Sequence, residues 1–162
     1  VKIGVLSDSH FRAGRSMPRV ADIFRDVEMI LHAGDVGDRE LLDWLSNIAP
    51  VDWVAGNCDR GFEAAAWPSR RVLQVAGVPI GLIHGDGYGG TTPERARRAF
   101  LTQPVKAVVF GHSHQPFNEV GKDGVLLFNP GSVSFPRGMA HQGSCGILTV
   151  QDQKITGEIF YV

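Results

Sequence analysis

The chain reads as an α/β protein of two stacked sheets flanked by helices, and three observations predict it. Short apolar runs alternate with helical stripes through the first half, as right-handed βαβ units require. Paired strand signals around tight turns dominate the second half and add antiparallel pairing. Glycine-flanked Asp, Asn and His residues stand just past the strand-like runs, where the loops of an α/β sheet gather around a ligand crevice. A length of 162 residues fits one domain spanning 1–162.

Lys2 to Ser7 is an apolar run suited to a buried parallel strand. Ser16 is placed to cap a helix and Pro18 suits its first turn. Val20, Ile23, Phe24 and Val27 supply the apolar stripe. Met29 to Ala33 is the second strand. Asp38 is placed to cap a helix carrying Leu41, Leu42 and Leu45, and Pro50 breaks the chain before the strand Val51 to Ala55. Gly56 to Pro68 reads as loop. Arg71 to Val75 and Val78 to His84 form a hairpin across Ala76-Gly77, and Thr92-Pro93 opens a helix through Phe100. Pro104 precedes the strand Ala107 to Phe110. Phe117 to Val120, Val125 to Phe128, Cys145 to Val150 and Ile155 to Tyr161 complete the strand set.

Composition narrows the function classes. The formal charge of −1 provides no global basic field, so nucleic acid is disfavoured as a partner. Two cysteines, Cys58 and Cys145, are too few and too far apart for a disulfide scaffold or a metal knuckle. No secretory leader pattern precedes the first strand, and no apolar run approaches the ~20 residues of a membrane span. These features predict a cytoplasmic protein with no membrane association. Self-association fits a compact domain, although no motif specifies it.

The positions of the ionisable residues carry the chemistry. Asp8 and His10 follow the first strand, Asp35 the second and Asn57 the third; His84 ends another, and His112 with His114 follow a further one. Seven side chains able to bind a metal through N or O thus converge on one edge of the sheet system, four of them among the six histidines. A single Asp or His at a strand end is ordinarily a turn residue or a cap. Five clusters in this order favour a metal site. In an extended segment, Asp8 and His10 would project to one side and share an ion. Spacing alone would place His112 and His114 together on one ion as well.

Asp8-Ser9-His10, Gly34-Asp35, Gly56-Asn57-Cys58-Asp59, His84-Gly85 and Gly111-His112-Ser113-His114 match, in order, the signature blocks of calcineurin-like metallophosphoesterases. The short length and Asn129-Pro130-Gly131-Ser132 resemble the compact bacterial branch of YfcE-like phosphodiesterases. The resemblance implies a four-layer α-β-β-α sandwich and two divalent metal ions per chain. It places Asp8, His10 and His114 on one ion, Asn57, His84 and His112 on the other, and Asp35 between them. It thereby separates His112 from His114.

The implied activity is hydrolysis of P–O bonds in a small phosphate ester by a hydroxide bridging the ions, with a phosphodiester as the expected substrate. Two cations ~3.5–4 Å apart clamp the attacking and leaving oxygens of an in-line displacement. Neutral Asn57 and neutral histidines leave about one net positive charge facing the anion by formal counting. A mixed N and O set suits Mn, Fe, Zn, Co or Ni, and the resemblance favours manganese.

Many superfamily members carry a histidine directly after the asparagine, where Cys58 stands here. A thiol protonates a departing alkoxide poorly, so esters with good leaving groups, such as aryl diesters, are the expected substrates. A small space-filling role is the alternative for Cys58. Asp59 fits either orientation of a ligand histidine or an Asx turn. His32 is read as core or as support behind a ligand, Arg137 as a solvated loop arginine with phosphate contact as the alternative. Two other functions share the scaffold: a nucleotide phosphohydrolase or nuclease, and a non-catalytic protein-interaction scaffold.

Overall fold

A computed structural model describes residues 1–139 and 141–162. The first sheet comprises β1 (Lys2–Leu6), β2 (Met29–His32), β3 (Val51–Trp53), β9 (Ser144–Gln151) and β10 (Lys154–Tyr161), ordered β10-β9-β1-β2-β3. β1, β2 and β3 pair in parallel, with Leu6 beside His32 and His32 beside Trp53, so their carboxyl ends finish level. β9 and β10 are antiparallel. The second sheet runs β4-β5-β6-β8-β7, from Arg70–Val75, Val78–Ile83, Ala107–Val109, Leu126–Pro130 and Pro116–Val120 respectively. There β5, β6 and β8 are parallel and the edge pairs are antiparallel.

Strand alternation divides the apolar side chains among three layers. Ile3, Val5 and Leu31 of the first sheet meet Ile80, Leu82, Val109 and Phe128 of the second in a dry core between the sheets. Leu6, Ile30 and Cys145 point outward to α1 (Pro18–Ile23) and α2 (Glu40–Ser46). Val108 and Phe110 point the other way, to Ala96 of α3 (Thr92–Arg98) and to Phe100 just beyond it. The result is the four-layer α-β-β-α sandwich. On each outer face a strand glycine admits a phenylalanine ring: an added Cβ at Gly4 would stand 2.9 Å from Phe24, and one at Gly81 2.9 Å from Phe100.

Several local expectations shift. Met17 takes the cap position of α1 in place of Ser16, with no side-chain hydrogen bond, and Pro18 opens the helix. That helix stops at Ile23, and Phe24, its C-cap, stays in the buried stripe and lies over Gly4. Asp38 stands one residue before the cap of α2, where its Oδ1 accepts from the Glu40 N–H at 2.9 Å. α3 begins with a capping box missed at the sequence level, Thr91 with Glu94, and it ends at Arg98 rather than Phe100. A single 3-10 turn, Ala64–Ala66, occupies the segment read as loop.

Candidate metal centre

Every proposed ligand stands on a loop that leaves a strand at the same edge of the sandwich. Asp8 and His10 follow β1, Asp35 follows β2, His84 follows β5, and His112 and His114 follow β6. Backbone hydrogen bonds lock the first two loops together: the Asp8 N–H donates to the Gly34 carbonyl at 3.0 Å and the His10 N–H to the Asp35 carbonyl at 3.0 Å.

The extended conformation assumed for the i, i+2 pairs is absent. Asp8, His10, Asp35, His112 and His114 all have positive φ, between 41° and 66°, and are five of the eight non-glycine residues described with that geometry. Left-handed backbone is unfavourable for residues with a side chain, and its concentration here marks a functional loop cluster. It also explains why His112 and His114 diverge despite their spacing.

The side chains form two adjoining groups. Asp8, His10, Asp35 and His114 each offer one ligand atom, and these atoms lie within 4.8 Å of one another. Beside them, Asn57 Oδ1 stands 3.0 Å from His84 Nε2 and 3.1 Å from His112 Nδ1. Asp35 joins the two: its Oδ2 is 3.7 Å from His10 Nε2 and 3.4 Å from His84 Nε2. All seven predicted residues therefore meet at one place.

Both carboxylates divide their oxygens in the same way. Asp8 Oδ2 accepts from the Ser7 hydroxyl at 2.7 Å and the His112 N–H at 3.0 Å, while Oδ1 is buried without a hydrogen-bond partner. That orphaned oxygen faces His114 Nε2 at 3.3 Å and His84 Nε2 at 3.9 Å. Asp35 Oδ1 accepts from the Cys58 N–H at 2.8 Å and leaves Oδ2 to the cluster. An unpartnered carboxylate oxygen in a dry interior is costly unless a cation completes it.

The histidines are oriented from behind. His84 Nδ1 donates to the Ala33 carbonyl at 2.7 Å and His114 Nδ1 to the Phe135 carbonyl at 2.7 Å, which turns each Nε2 inward. His10 Nε2 and His114 Nε2 then approach to 3.4 Å, where two lone pairs need a shared cation or proton between them. The donor set and its geometry fit divalent metal ions.

Charge in the cluster is strongly coupled. Burial alone would lower the His84 pKa, but its hydrogen bond to Asp35 and the charges of Asp8 and Asp35 push it up to about 9. Burial would raise Asp35, but the hydrogen bond and charge of His84, with the Cys58 N–H, hold its carboxyl well below the usual range. Burial and the charge of His84 lower His112.

The remaining candidates separate. Cys58 is exposed at the rim, so it fills no core space; its Sγ is 3.5 Å from Asn57 Nδ2, and burial and Asp35 raise its pKa. Asp59 accepts from the Gly56 N–H at 2.8 Å and the Gly37 N–H at 3.2 Å. It clips the two ligand loops together through their backbones rather than through a histidine. His32 is fully buried and burial lowers its pKa to about 4. Its Nδ1 accepts from the Gly34 N–H at 3.2 Å, so Nε2–H donates to Ser9 Oγ at 2.8 Å, behind the Asp8 loop.

Three supporting residues escaped the sequence reading. Asn129 donates to the Gly111 carbonyl at 2.8 Å and to Ser113 Oγ at 3.1 Å, which pins the His112–His114 loop. Ser132 donates to the Asp8 carbonyl at 2.7 Å. Ser7 fixes Asp8 Oδ2. The run Asn129-Pro130-Gly131-Ser132 was visible as a motif, but its contacts are non-local.

The model of the calcineurin-like phosphoesterase superfamily domain matches residues 1–153. The chain belongs to that superfamily. A probable metallophosphoesterase of Methanothermobacter thermautotrophicus is 39% identical over 159 residues, covering 97% of this chain and 90% of that protein. Among solved structures, Vps29 of Chaetomium thermophilum superposes with a TM-score of 0.79 at 20% identity, over 99% of this chain and 96% of that one. A novel archaeal phosphodiesterase superposes with a TM-score of 0.76 at 22% identity, over 99% of this chain and all of that one, 100%. The calcineurin-like fold is common to these proteins; the paired carboxylates, histidines and asparagine described above occupy its loop edge here.

Proposed function

We propose that the chain is a divalent-metal-dependent phosphodiesterase of the cytoplasm. Asp8, His10 and His114 would hold one ion, Asn57, His84 and His112 the other, and Asp35 both, with manganese as the preferred metal. The observation that carries this reading is the buried, partnerless Oδ1 of Asp8, faced by two inward-turned histidines, His84 and His114. Membership of the superfamily supports phosphoester hydrolysis, and the archaeal phosphodiesterase supports the diester preference.

Bound ions supply Lewis acidity toward the phosphoryl oxygens and an activated water at neutral pH. The chain's own residues do the rest. With two ions held, neutral Asn57 would leave the site cationic toward an anionic ester, and the buttresses from Ala33 and Phe135 keep the imidazoles aimed. Cys58 occupies the rim position with a thiol that donates a proton poorly, which favours aryl over alkyl leaving groups.

A nuclease would need free cations along a track. Here Arg71 pairs with Asp52, and Arg70 donates to the Ala99 carbonyl. Arg95 donates to the Gly85 and Gly90 carbonyls at 3.0 and 2.7 Å, Arg97 pairs with Asp123, and Arg98 holds the Gly89 carbonyl at 2.9 Å. These arginines brace the loop after His84 and the outer helix.

The test is hydrolysis of bis-p-nitrophenyl phosphate by metal-stripped protein, with and without added manganese, beside His112→Ala. Metal-dependent turnover that is lost in the variant supports the proposal. Two ions bound per chain with no turnover on any diester would transfer the function to the interaction-scaffold class.

A further inference from the structure

The metal centre is continuous with a cavity of about 720 Å³ that opens beside His10 and His114 and is walled by Arg12, Phe135, Pro136 and Arg137. A lone phosphate would leave most of this volume empty, whereas cavities of this size take ligands as large as a nucleotide.

Its walls have an uneven chemistry. Arg12 and Arg137 are both exposed. Arginine ion pairs among the described residues are made by Arg39, Arg71 and Arg97, and none by Arg12 or Arg137. No carboxylate lines the space, so two guanidinium groups face it without a counter-charge. Guanidinium forks match phosphate oxygens in geometry and charge.

Phe135 lies between them in sequence and is fixed from three sides. Its N–H donates to Ser132 Oγ at 2.8 Å, its carbonyl accepts from His114 Nδ1 at 2.7 Å, and its ring stands edge-on to His10 at 5.5 Å. Even so, 49% of the residue remains exposed. A pre-positioned aromatic face at half exposure, next to a proposed metal ligand, suits stacking by a planar ring.

We infer that the substrate is a small nucleotide diester, whose base stacks on Phe135 while a second phosphate, beyond the scissile one, lies between Arg12 and Arg137. The inference rests on the phosphodiesterase reading above and specifies the substrate class for the same site. The engaged state of the other arginine clusters and the net charge of −1 favour a small nucleotide over a polymer.

The experiment is calorimetric titration of thymidine bisphosphate, thymidine monophosphate and inorganic phosphate into metal-free and manganese-loaded protein. Wild type should bind the bisphosphate about tenfold more tightly than the monophosphate, the size of one charge-assisted contact. It should bind the monophosphate more tightly than phosphate. Arg12→Gln with Arg137→Gln should erase the first step and Phe135→Leu the second, and the first step should persist without metal. Equal wild-type affinities for the two nucleotides, or a uniform loss for all three ligands in the arginine variant, would overturn the inference.

Hydrolysis of methyl p-nitrophenyl phosphate, whose small arm cannot fill the cavity, keeps the two readings apart. Turnover of that ester with no bisphosphate preference removes the nucleotide assignment alone. A bisphosphate preference without turnover of any diester removes the esterase reading and leaves the binding site.

Discussion

The Ser132 hydroxyl donates to the backbone carbonyl of Asp8 at 2.7 Å, joining loops 124 residues apart in the chain. The same oxygen accepts from the N–H groups of Ser134 and Phe135 at 3.3 and 2.8 Å. One buried hydroxyl therefore fixes the loop that carries Asp8 and the wall of the neighbouring cavity.

Ser132→Ala leaves the Asp8 carbonyl and two N–H groups without that partner. Unfolding in urea should show a loss of about 1–3 kcal/mol, the usual cost of stranding a buried polar group. Metal affinity should fall as well, because Asp8 loses its anchor. Unchanged stability together with unchanged metal binding would show that the contact is dispensable.

Asn57→Asp keeps an oxygen facing His84 and His112 but adds a negative charge. Metal retention should persist, and KM for an anionic diester should rise several-fold as the site loses its net positive charge. A KM equal to that of the wild type would contradict the formal charge count.

Metal-free protein should lose stability as pH rises from about 6.5 to about 9. His84 has a folded pKa near 9, above its unfolded value of 6.5, so its proton favours the folded state. That contribution is complete below 6.5 and gone above 9, and its full size is about 3 kcal/mol. His32 acts in the opposite sense at lower pH, because its pKa of about 4 makes folding less favourable as pH falls below 6.5. Stability of the chelated protein should therefore peak near pH 6.5. Metal loading or His84→Gln should flatten the alkaline limb in urea titrations; a limb that persists in His84→Gln belongs to another group.

Thiol labelling should separate the two cysteines. Cys58 is exposed and should react in the native protein, slowly at neutral pH because burial and Asp35 raise its pKa. Cys145 is buried against the α1 and α2 layer with its pKa pushed up to about 12, and it should react only on unfolding. Mass spectrometry of iodoacetamide-treated native protein should find one label, at Cys58; labelling of Cys145 at a comparable rate would indicate that the layer opens.

The sequence by itself determined the strand and helix order, the two-sheet architecture and all seven residues of the candidate centre. Apolar periodicity sets which face of each element is buried, and parallel strands that end level gather their loops on one edge. The family resemblance implied how those residues divide, and only the tertiary structure decided the backbone geometry behind it. His112 and His114 part because left-handed backbone, at φ of 66° and 59°, replaces the extended geometry that their spacing suggested. The role of Asp59 in clipping backbones, the tautomer of His32 and the anchoring by Asn129 and Ser132 were likewise settled in three dimensions. Each depends on a hydrogen bond between distant segments, and a linear pattern shows which residues can make such a bond but not which partner the packed loops bring within reach.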